Sequence, residues 1–331
     1  MPVSSILLAT GFAGKIVAGW TSRPLWPSDA GGQSRSPASW VNIRSCEGTS
    51  PEVGTQKVQT KLKDDPMQVC LDKSETTGFE HALGKIPDTE FKNLTRSTLP
   101  LLCYWRNPER AATSLLHNLF QSSETPLGSV CFEYTVASCG RNKASFTDVM
   151  YHSAQTAIGV EGKWTEPMYP SVARWLSLGR RPDNRKNVMR HWIELIRKQT
   201  GHVDESKVGA VVYQTLHRAA SVCSLGRNRC AIVYQLFHEG ESKAKTELYI
   251  DALAKLAAAI GAGERLRLGV HEVSMQPGAQ YAEIKKKAYD ASGRELAGII
   301  REAVLGGGLF TFGRERFVPV TWTQGRGNDS V

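Results

Sequence analysis

Apolar and polar residues follow regular periods over only part of the chain. From about Phe79 onward, stretches with helical spacing alternate with stretches of strand spacing. Residues 1–75 sustain neither period and are rich in Ser, Gly, Pro and Thr, which is typical of a poorly ordered segment. We therefore predict a poorly ordered N-terminal segment over residues 1–75 and a folded domain over residues 76–331.

Three strand patterns follow one another closely in the middle of the chain. The first alternates Phe132, Tyr134 and Val136 against polar residues. The predicted strands cover residues 130–138, 145–151 and 156–164. Because the connections between them are short, we expect an antiparallel meander.

The remaining periodic segments are mostly helical, with apolar strand runs between them. Predicted helices cover residues 96–121 (broken at Pro100 and Pro108), 184–200, 204–219, 243–260 and 280–305 (weakened at Gly293). Predicted strands cover residues 231–237, 266–273 and 317–322. A helix, three strands, further helices and another strand indicate an α/β or α+β fold with a mixed central sheet flanked by helices.

Composition places the chain among ordinary globular proteins. Of its 331 residues, 41% are hydrophobic and 22% charged, which excludes collagen-like and wholly disordered chains. No apolar stretch approaches the roughly 18 residues of a membrane span, so we expect no membrane association. Lys15 interrupts the apolar N-terminus, unlike a secretory signal, and the seven cysteines form no C-x-x-C pair. A cytoplasmic location with reduced thiols is therefore expected.

The pair Glu161-x-Lys163 is the most informative chemical pattern. Glu-x-Lys occurs five times in the chain, but only this copy lies on a convincing predicted strand. Period-two alternation places Ala157, Gly159, Glu161 and Lys163 on one face of that strand. The small residues beside the two charges predict room for a ligand. The competing interpretation is a solvated ion pair on the polar face of the strand.

Asp148 on the preceding strand can bring a second carboxylate beside Glu161. Adjacent carboxylates repel each other unless a cation joins them, and their hard oxygens suit Mg²⁺, with Mn²⁺ as an alternative. Such a metal can acidify water and stabilise a phosphoryl transition state. Lys163 would then orient the attacking water and offset charge on the phosphate.

The order Asp148 followed by Glu161-x-Lys163 on a meander resembles the active site of the PD-(D/E)xK nuclease superfamily. The longer string Ser-Phe-Thr-Asp-Val-Met, then Ala-Ile-Gly-Val-Glu-Gly-Lys-Trp-Thr-Glu-Pro, is similar to largely uncharacterised bacterial members. The resemblance spans roughly residues 79–237 and implies a restriction-endonuclease-like fold with C-terminal α/β additions. It also implies metal ligation by Asp148 and Glu161, with Lys163 as the catalytic lysine. Thr147 stands where the superfamily motif often has Pro.

Further polar residues are candidates for auxiliary roles. Four could assist at the site, each with a purely structural alternative: Glu133, Glu166, Gln214 and His217. A basic run with Trp175 and Trp192 interleaved could track phosphates, although such a run is usually a solvated helix face. The predicted nucleic-acid-binding residues within that run are Arg180, Arg181, Arg185, Lys186 and Arg190.

Together these patterns predict a metal-dependent endonuclease that hydrolyses DNA, with restriction or defence as the biology that family analogy favours. The net charge of +9 permits an anionic partner without requiring one. Two alternatives stay open: a nucleic-acid-binding or assembly module with weak or lost catalysis, and an RNA-cleaving nuclease. A homodimer is also a candidate assembly.

Overall fold

A single sheet forms the centre of the part of the chain that the computed structural model describes. That part comprises residues 67–123, 125–139, 144–178, 182–240, 243–288 and 293–321. Its strands are β1 (Gln68–Leu71), β2 (Ser74–Thr76), β3 (Ser129–Val136), β4 (Ser145–His152), β5 (Thr156–Lys163), β6 (Arg229–His238), β7 (Leu266–Pro277) and β8 (Phe310–Val320). Their spatial order is β2-β1-β3-β4-β5-β6-β7-β8.

Helices cover both faces of this sheet. They are α1 (Phe79–Lys85), α2 (Thr98–Tyr104), α3 (Pro108–Phe120), α4 (Val172–Ser177), α5 (Pro182–Thr200), α6 (Glu205–Val208), α7 (Tyr213–Cys223), α8 (Lys243–Ile260), α9 (Ala279–Lys287) and α10 (Gly293–Gly306), with a 3₁₀ helix at Asp88–Phe91. One hydrophobic cluster joins the sheet to α1–α3, α9 and α10, and a second joins it to α4–α8. In β5, Ile158 and Val160 face the first cluster and Ala157 the second.

The central meander matches the predicted order. Strands β3, β4 and β5 pair antiparallel, and β6 then joins β5 in parallel after α7. A parallel neighbour requires a crossover, which the segment from α4 to α7 provides. The predicted mixed sheet flanked by helices is confirmed.

Two predicted boundaries are wrong. The folded domain begins before residue 76, because β1 pairs in parallel with β3; four residues are too few to show a period in the sequence. The single helix predicted over 204–219 is broken between α6 and α7, where Ser171 bridges Val212 and Val172 N–H donates to Val211 O at 2.7 Å. Residues 1–66, most of the segment predicted to be poorly ordered, lie outside the described residues.

No helix within the described ranges is both long enough and apolar enough to cross a membrane.

Candidate active site

The candidate site begins where strands β4 and β5 stop pairing. Their ladder runs from His152–Ala157 to Val149–Val160. Asp148 and Glu161 come next along each strand, just beyond the last pair. There the Gly162 N–H donates to Asp148 Oδ2 at 2.9 Å. The side chain of the aspartate thus accepts the hydrogen bond of this β5 backbone group. The separation of the strands places both predicted carboxylates in one polar region.

Helix α7 covers Glu161, which is only 2% exposed. Its Oε1 accepts from Lys163 Nζ at 2.8 Å and from Gln214 Nε2 at 2.5 Å, and its Oε2 accepts from Arg218 Nε. Gln214 and Arg218 lie four residues apart and therefore on the same face of α7. The helix thus binds the glutamate that the strand supplies.

Arg218 joins the two carboxylates. Besides its bond to Glu161, its Nη2 lies 3.7 Å from Asp148 Oδ1, and its Nη1 donates to Ser145 Oγ at 3.3 Å. The same Nη1 lies 3.3 Å from His217 Nδ1, and Ser145 Oγ lies 2.6 Å from that nitrogen. Because arginine only donates, His217 Nδ1 is the acceptor and its ring proton sits on Nε2.

The protonation states at the site follow from burial and charge. Burial raises the pKa of Glu161, but Arg218 and Lys163 lower it by more, so this carboxyl is ionised. Burial lowers the pKa of Lys163, yet Glu161 and Asp148 raise it above the usual value. The pKa of His217 is well below its usual range because of burial and the nearby Arg218 and Lys163, so the ring is neutral.

Asp148 is less well compensated than Glu161. Burial and the Glu161 carboxylate raise its pKa to about 7, although its side chain stays 23% exposed. A carboxyl whose pKa is higher in the folded than in the unfolded state binds more protons when folded. Its ionisation therefore destabilises the fold progressively as pH rises from about 4 to about 7.

Asp148→Asn should accordingly stabilise the metal-free protein at pH 8. The gain is at most about 4 kcal/mol, from roughly three pKa units, and less because the carboxyl is partly solvated. It should shrink as pH falls toward 4. Thermal melts in EDTA between pH 4.5 and 8.5 measure it, with the exposed α8 residue Asp251→Asn as control. A pH-independent difference would show that Asp148 is ionised throughout.

Glu133 lies close to this pair in an unusual conformation. Its φ is +52°, a left-handed value that is costly for a non-glycine residue. It falls between the Phe132–Val149 and Tyr134–Thr147 pairs of the β3–β4 ladder, opposite Asp148. Burial and the Asp148 charge raise its pKa to about 8. The strained position thus brings a third, protonated carboxyl toward the site.

Glu166, another predicted auxiliary residue, has a structural role instead. Its Oε1 accepts from Ser97 N at 2.6 Å and from Ser97 Oγ at 2.7 Å, at the start of α2. Its Oε2 accepts from Trp164 N at 2.8 Å. Oε1 therefore connects the loop after β5 to the start of α2, whereas Oε2 bonds within that loop.

The predicted open space beside Gly159 is also wrong. A Cβ placed on Gly159 would lie 2.8 Å from the Val222 side chain, and Ala157 is fully buried. Helix α7 fills this part of the face. The small residues of β5 therefore permit close helix packing rather than ligand binding.

Four neighbouring residues were not predicted. Ser145 bonds Arg218, and the half-exposed Tyr169 ring has Lys163 Nζ 5.8 Å from its centroid. The hydroxyls of Tyr234 and Tyr249 are buried without a partner among the described residues, and both interact electrostatically with Glu161. The position of Ser145, three residues before Asp148 on β4, was the one feature of the sequence that could have indicated its place in the site. Nothing in the sequence indicated the three tyrosines.

The donor chemistry of this region fits Mg²⁺. Asp148 and Glu161 supply the hard carboxylate oxygens that Mg²⁺ prefers in proteins. In the described parts of the chain, no three His, Cys, Asp or Glu side chains form a preassembled metal site. The fit thus rests on the carboxylate pair, with Glu133 nearby.

The predicted nucleic-acid-binding residues are only partly described. Arg180 and Arg181 lie outside the described residues. Lys186 and Arg190 are exposed on α5, whereas the Arg185 guanidinium lies 4.8 Å from the Trp175 ring centroid. Trp175 in turn stacks on Tyr213 at 3.9 Å. Trp192 is 1% exposed, so its predicted place among the phosphate-contacting residues is wrong.

The fold and site define an α/β domain with a buried carboxylate–lysine–arginine cluster at the divergence of two strands. Residues 75–280 match the family described as "Domain of unknown function (DUF6946)", and the chain belongs to that family. All the candidate site residues lie within the matched range. No curated protein and no solved structure matches the chain.

Proposed function

We propose that this protein is a metal-dependent phosphodiesterase that cleaves DNA. The observation that carries the proposal is the placement of Asp148 and Glu161 just past the last β4–β5 pair, with Lys163 Nζ 2.8 Å from Glu161. The resemblance to the PD-(D/E)xK superfamily gives the same three residues their roles. The order α3, β3–β5, α7, β6 agrees with the fold that the resemblance implies.

Each residue has a distinct part in the proposed reaction. Asp148 and Glu161 would hold Mg²⁺, which when bound acidifies water and stabilises negative charge on the phosphate. Lys163, ionised because of its pairing with Glu161, would orient the attacking water and offset phosphate charge. Gln214 keeps the Glu161 carboxylate oriented, and Arg218 also contacts it when no metal is bound. Neutral His217 accepts a hydrogen bond from the Ser145 hydroxyl.

Helix α5 is the proposed DNA contact. Lys186 and Arg190 are exposed there, and α5 packs in the same layer as α7. Phosphate contacts give affinity that falls with salt, so each one removed should reduce the salt slope by about 1.

Lys186→Ser and Arg190→Ser should therefore each weaken DNA binding to a similar extent for different sequences. Fluorescence anisotropy at several salt concentrations, in EDTA, checks this without cleavage. The matched control is Lys255→Ser, which removes another exposed lysine, on α8. Unchanged slopes for both α5 variants would assign DNA contact to another surface.

One observation favours the rival binding module. Once Asp148 is ionised, above about pH 7, Lys163 and Arg218 balance the charges of Asp148 and Glu161, so the cluster is neutral without a metal. A protein of that kind would bind nucleic acid equally well in Mg²⁺ and EDTA and would cleave none.

End-labelled duplex DNA, single-stranded DNA and RNA, each incubated with Mg²⁺, Mn²⁺ or EDTA, distinguish the candidates. We expect metal-dependent cleavage of DNA. Cleavage of RNA but not of DNA would make RNA the substrate. Binding of nucleic acid without cleavage would favour the nucleic-acid-binding module.

A further inference from the structure

When Asp148 is ionised, the candidate site holds two cationic and two anionic side chains. The side chain of Glu161 is 3% exposed, and those of Lys163 and Arg218 are each 6% exposed. The side chain of Asp148 is 23% exposed. Two cations thus face two anions in a largely buried space. Buried charges are stable only when they are paired in this way.

A divalent cation would disturb this balance. Adding it to a neutral cluster leaves two uncompensated positive charges where water is scarce, which is strongly unfavourable. Three of the four lone-pair positions of Glu161 already accept hydrogen bonds. A metal therefore competes with the resident cations for the carboxylate oxygens.

Arg218 is the cation in the position to be displaced. It is the side chain that contacts both carboxylates, whereas Lys163 bonds Glu161. Its Nη1 also reaches Ser145, the first residue of β4, and His217, the preceding residue of α7. These two residues offer the guanidinium a partner after it leaves the carboxylates.

We propose that Arg218 is an exchangeable counter-ion, which takes the place of the metal between Asp148 and Glu161 until Mg²⁺ displaces it. The inference rests on the proposed metal site but concerns its metal-free state. The exchange lowers the affinity for Mg²⁺, because metal binding must first break the contacts of Arg218 with the two carboxylates. It also explains how two close carboxylates persist without a metal.

Isothermal titration of Mg²⁺ into wild-type protein and Arg218→Gln tests the competition directly. The variant should have a lower Tm without metal and should bind Mg²⁺ about tenfold or more tightly, because one competing charge is gone. Its Mg²⁺-induced rise in Tm should exceed that of the wild type. Arg218→Lys keeps the charge and should retain affinity closer to the wild-type value.

Arg301→Gln is the matched control. Arg301 is a partly buried arginine 2.7 Å from Asp88, on the opposite side of the sheet. Its loss should lower Tm and leave Mg²⁺ affinity unchanged. If loss of stability by itself changed Mg²⁺ affinity, Arg301→Gln would also show a changed Mg²⁺ affinity.

A second measurement needs no folded variant. In ¹⁵N-labelled wild-type protein, the Arg218 Nε–Hε signal should shift on addition of MgCl₂, because its bond to Glu161 breaks. The Arg301 signal should stay in place. An Arg218 signal that does not move while Mg²⁺ binds would overturn the inference.

The outcomes separate this inference from the nuclease proposal. Wild-type protein that binds Mg²⁺ and cleaves DNA, with unchanged affinity in Arg218→Gln, contradicts the counter-ion and keeps the nuclease. Tighter binding in Arg218→Gln without cleavage by wild-type protein keeps the counter-ion and contradicts the nuclease. Mg²⁺ binding to neither protein contradicts both.

Discussion

Replacing Glu161 by Gln should lower the free energy of unfolding by about 3–5 kcal/mol, although the shape of the side chain hardly changes. The substitution leaves Lys163 and Arg218 buried without the anion that both contact. An uncompensated buried charge costs far more than a lost surface ion pair. Urea unfolding of the metal-free protein, followed by circular dichroism, measures the loss.

Glu272→Gln provides the comparison. Glu272 is also largely buried and pairs with Arg316, but the Arg316 side chain is 52% exposed and can return to solvent. We expect that variant to lose much less stability than Glu161→Gln. Equal losses would mean that the cluster beneath α7 is solvated and that its ion pairs matter little.

Replacing Lys163 by Met should reduce Mg²⁺-dependent DNA cleavage by about 10²-fold or more, the scale of losing a positioned proton-transfer or electrostatic group. Its stability should fall less than that of Glu161→Gln, because Glu161 keeps Arg218 and Gln214 as donors. DNA binding in EDTA should be nearly unchanged. Single-turnover cleavage, with an unfolding curve for each protein, checks the three expectations.

Lys245→Met is the matched control for Lys163. Lys245 is a partly buried lysine on α8 whose ammonium donates to the Trp164 carbonyl beside the site. It contacts neither predicted carboxylate, so its removal should leave most of the cleavage rate. If both variants cut DNA at the wild-type rate, Lys163 does not position the water.

Local patterns were enough to predict the central meander and the Asp148–Glu161–Lys163 constellation. Strand alternation acts over neighbouring residues, and the short links between β3, β4 and β5 leave few ways to pair them. The two carboxylates then fall together because the strands pair in one register.

The packing of α7 over Glu161 could not be predicted from local patterns. Gln214 and Arg218 are 53 and 57 residues away from Glu161, and no local signal states which helix crosses which strand. Helical spacing did predict that Gln214, His217 and Arg218, one turn apart on a helix, could face the site or a phosphate. It gave no indication that Arg218 would neutralise both carboxylates.

Glu166 illustrates the opposite error. Its closeness in sequence to Lys163 made it a candidate for the site, yet its Oε1 accepts hydrogen bonds from Ser97, 69 residues earlier. A carboxylate that accepts hydrogen bonds from backbone and hydroxyl donors at the start of a helix stabilises that helix end. The tertiary contact, rather than the spacing, determined its role.

Nicking of supercoiled plasmid by wild-type protein and Asp148→Asn, each in Mg²⁺ and in excess EDTA, tests the central proposal most directly. The proposal predicts open-circular product from wild-type protein in Mg²⁺ alone. Asp148→Asn should remain folded and produce none. Nicking that persists in EDTA, nicking by Asp148→Asn at the wild-type rate, or an intact plasmid with every protein would contradict a metal-dependent DNA nuclease at the Asp148–Glu161 pair.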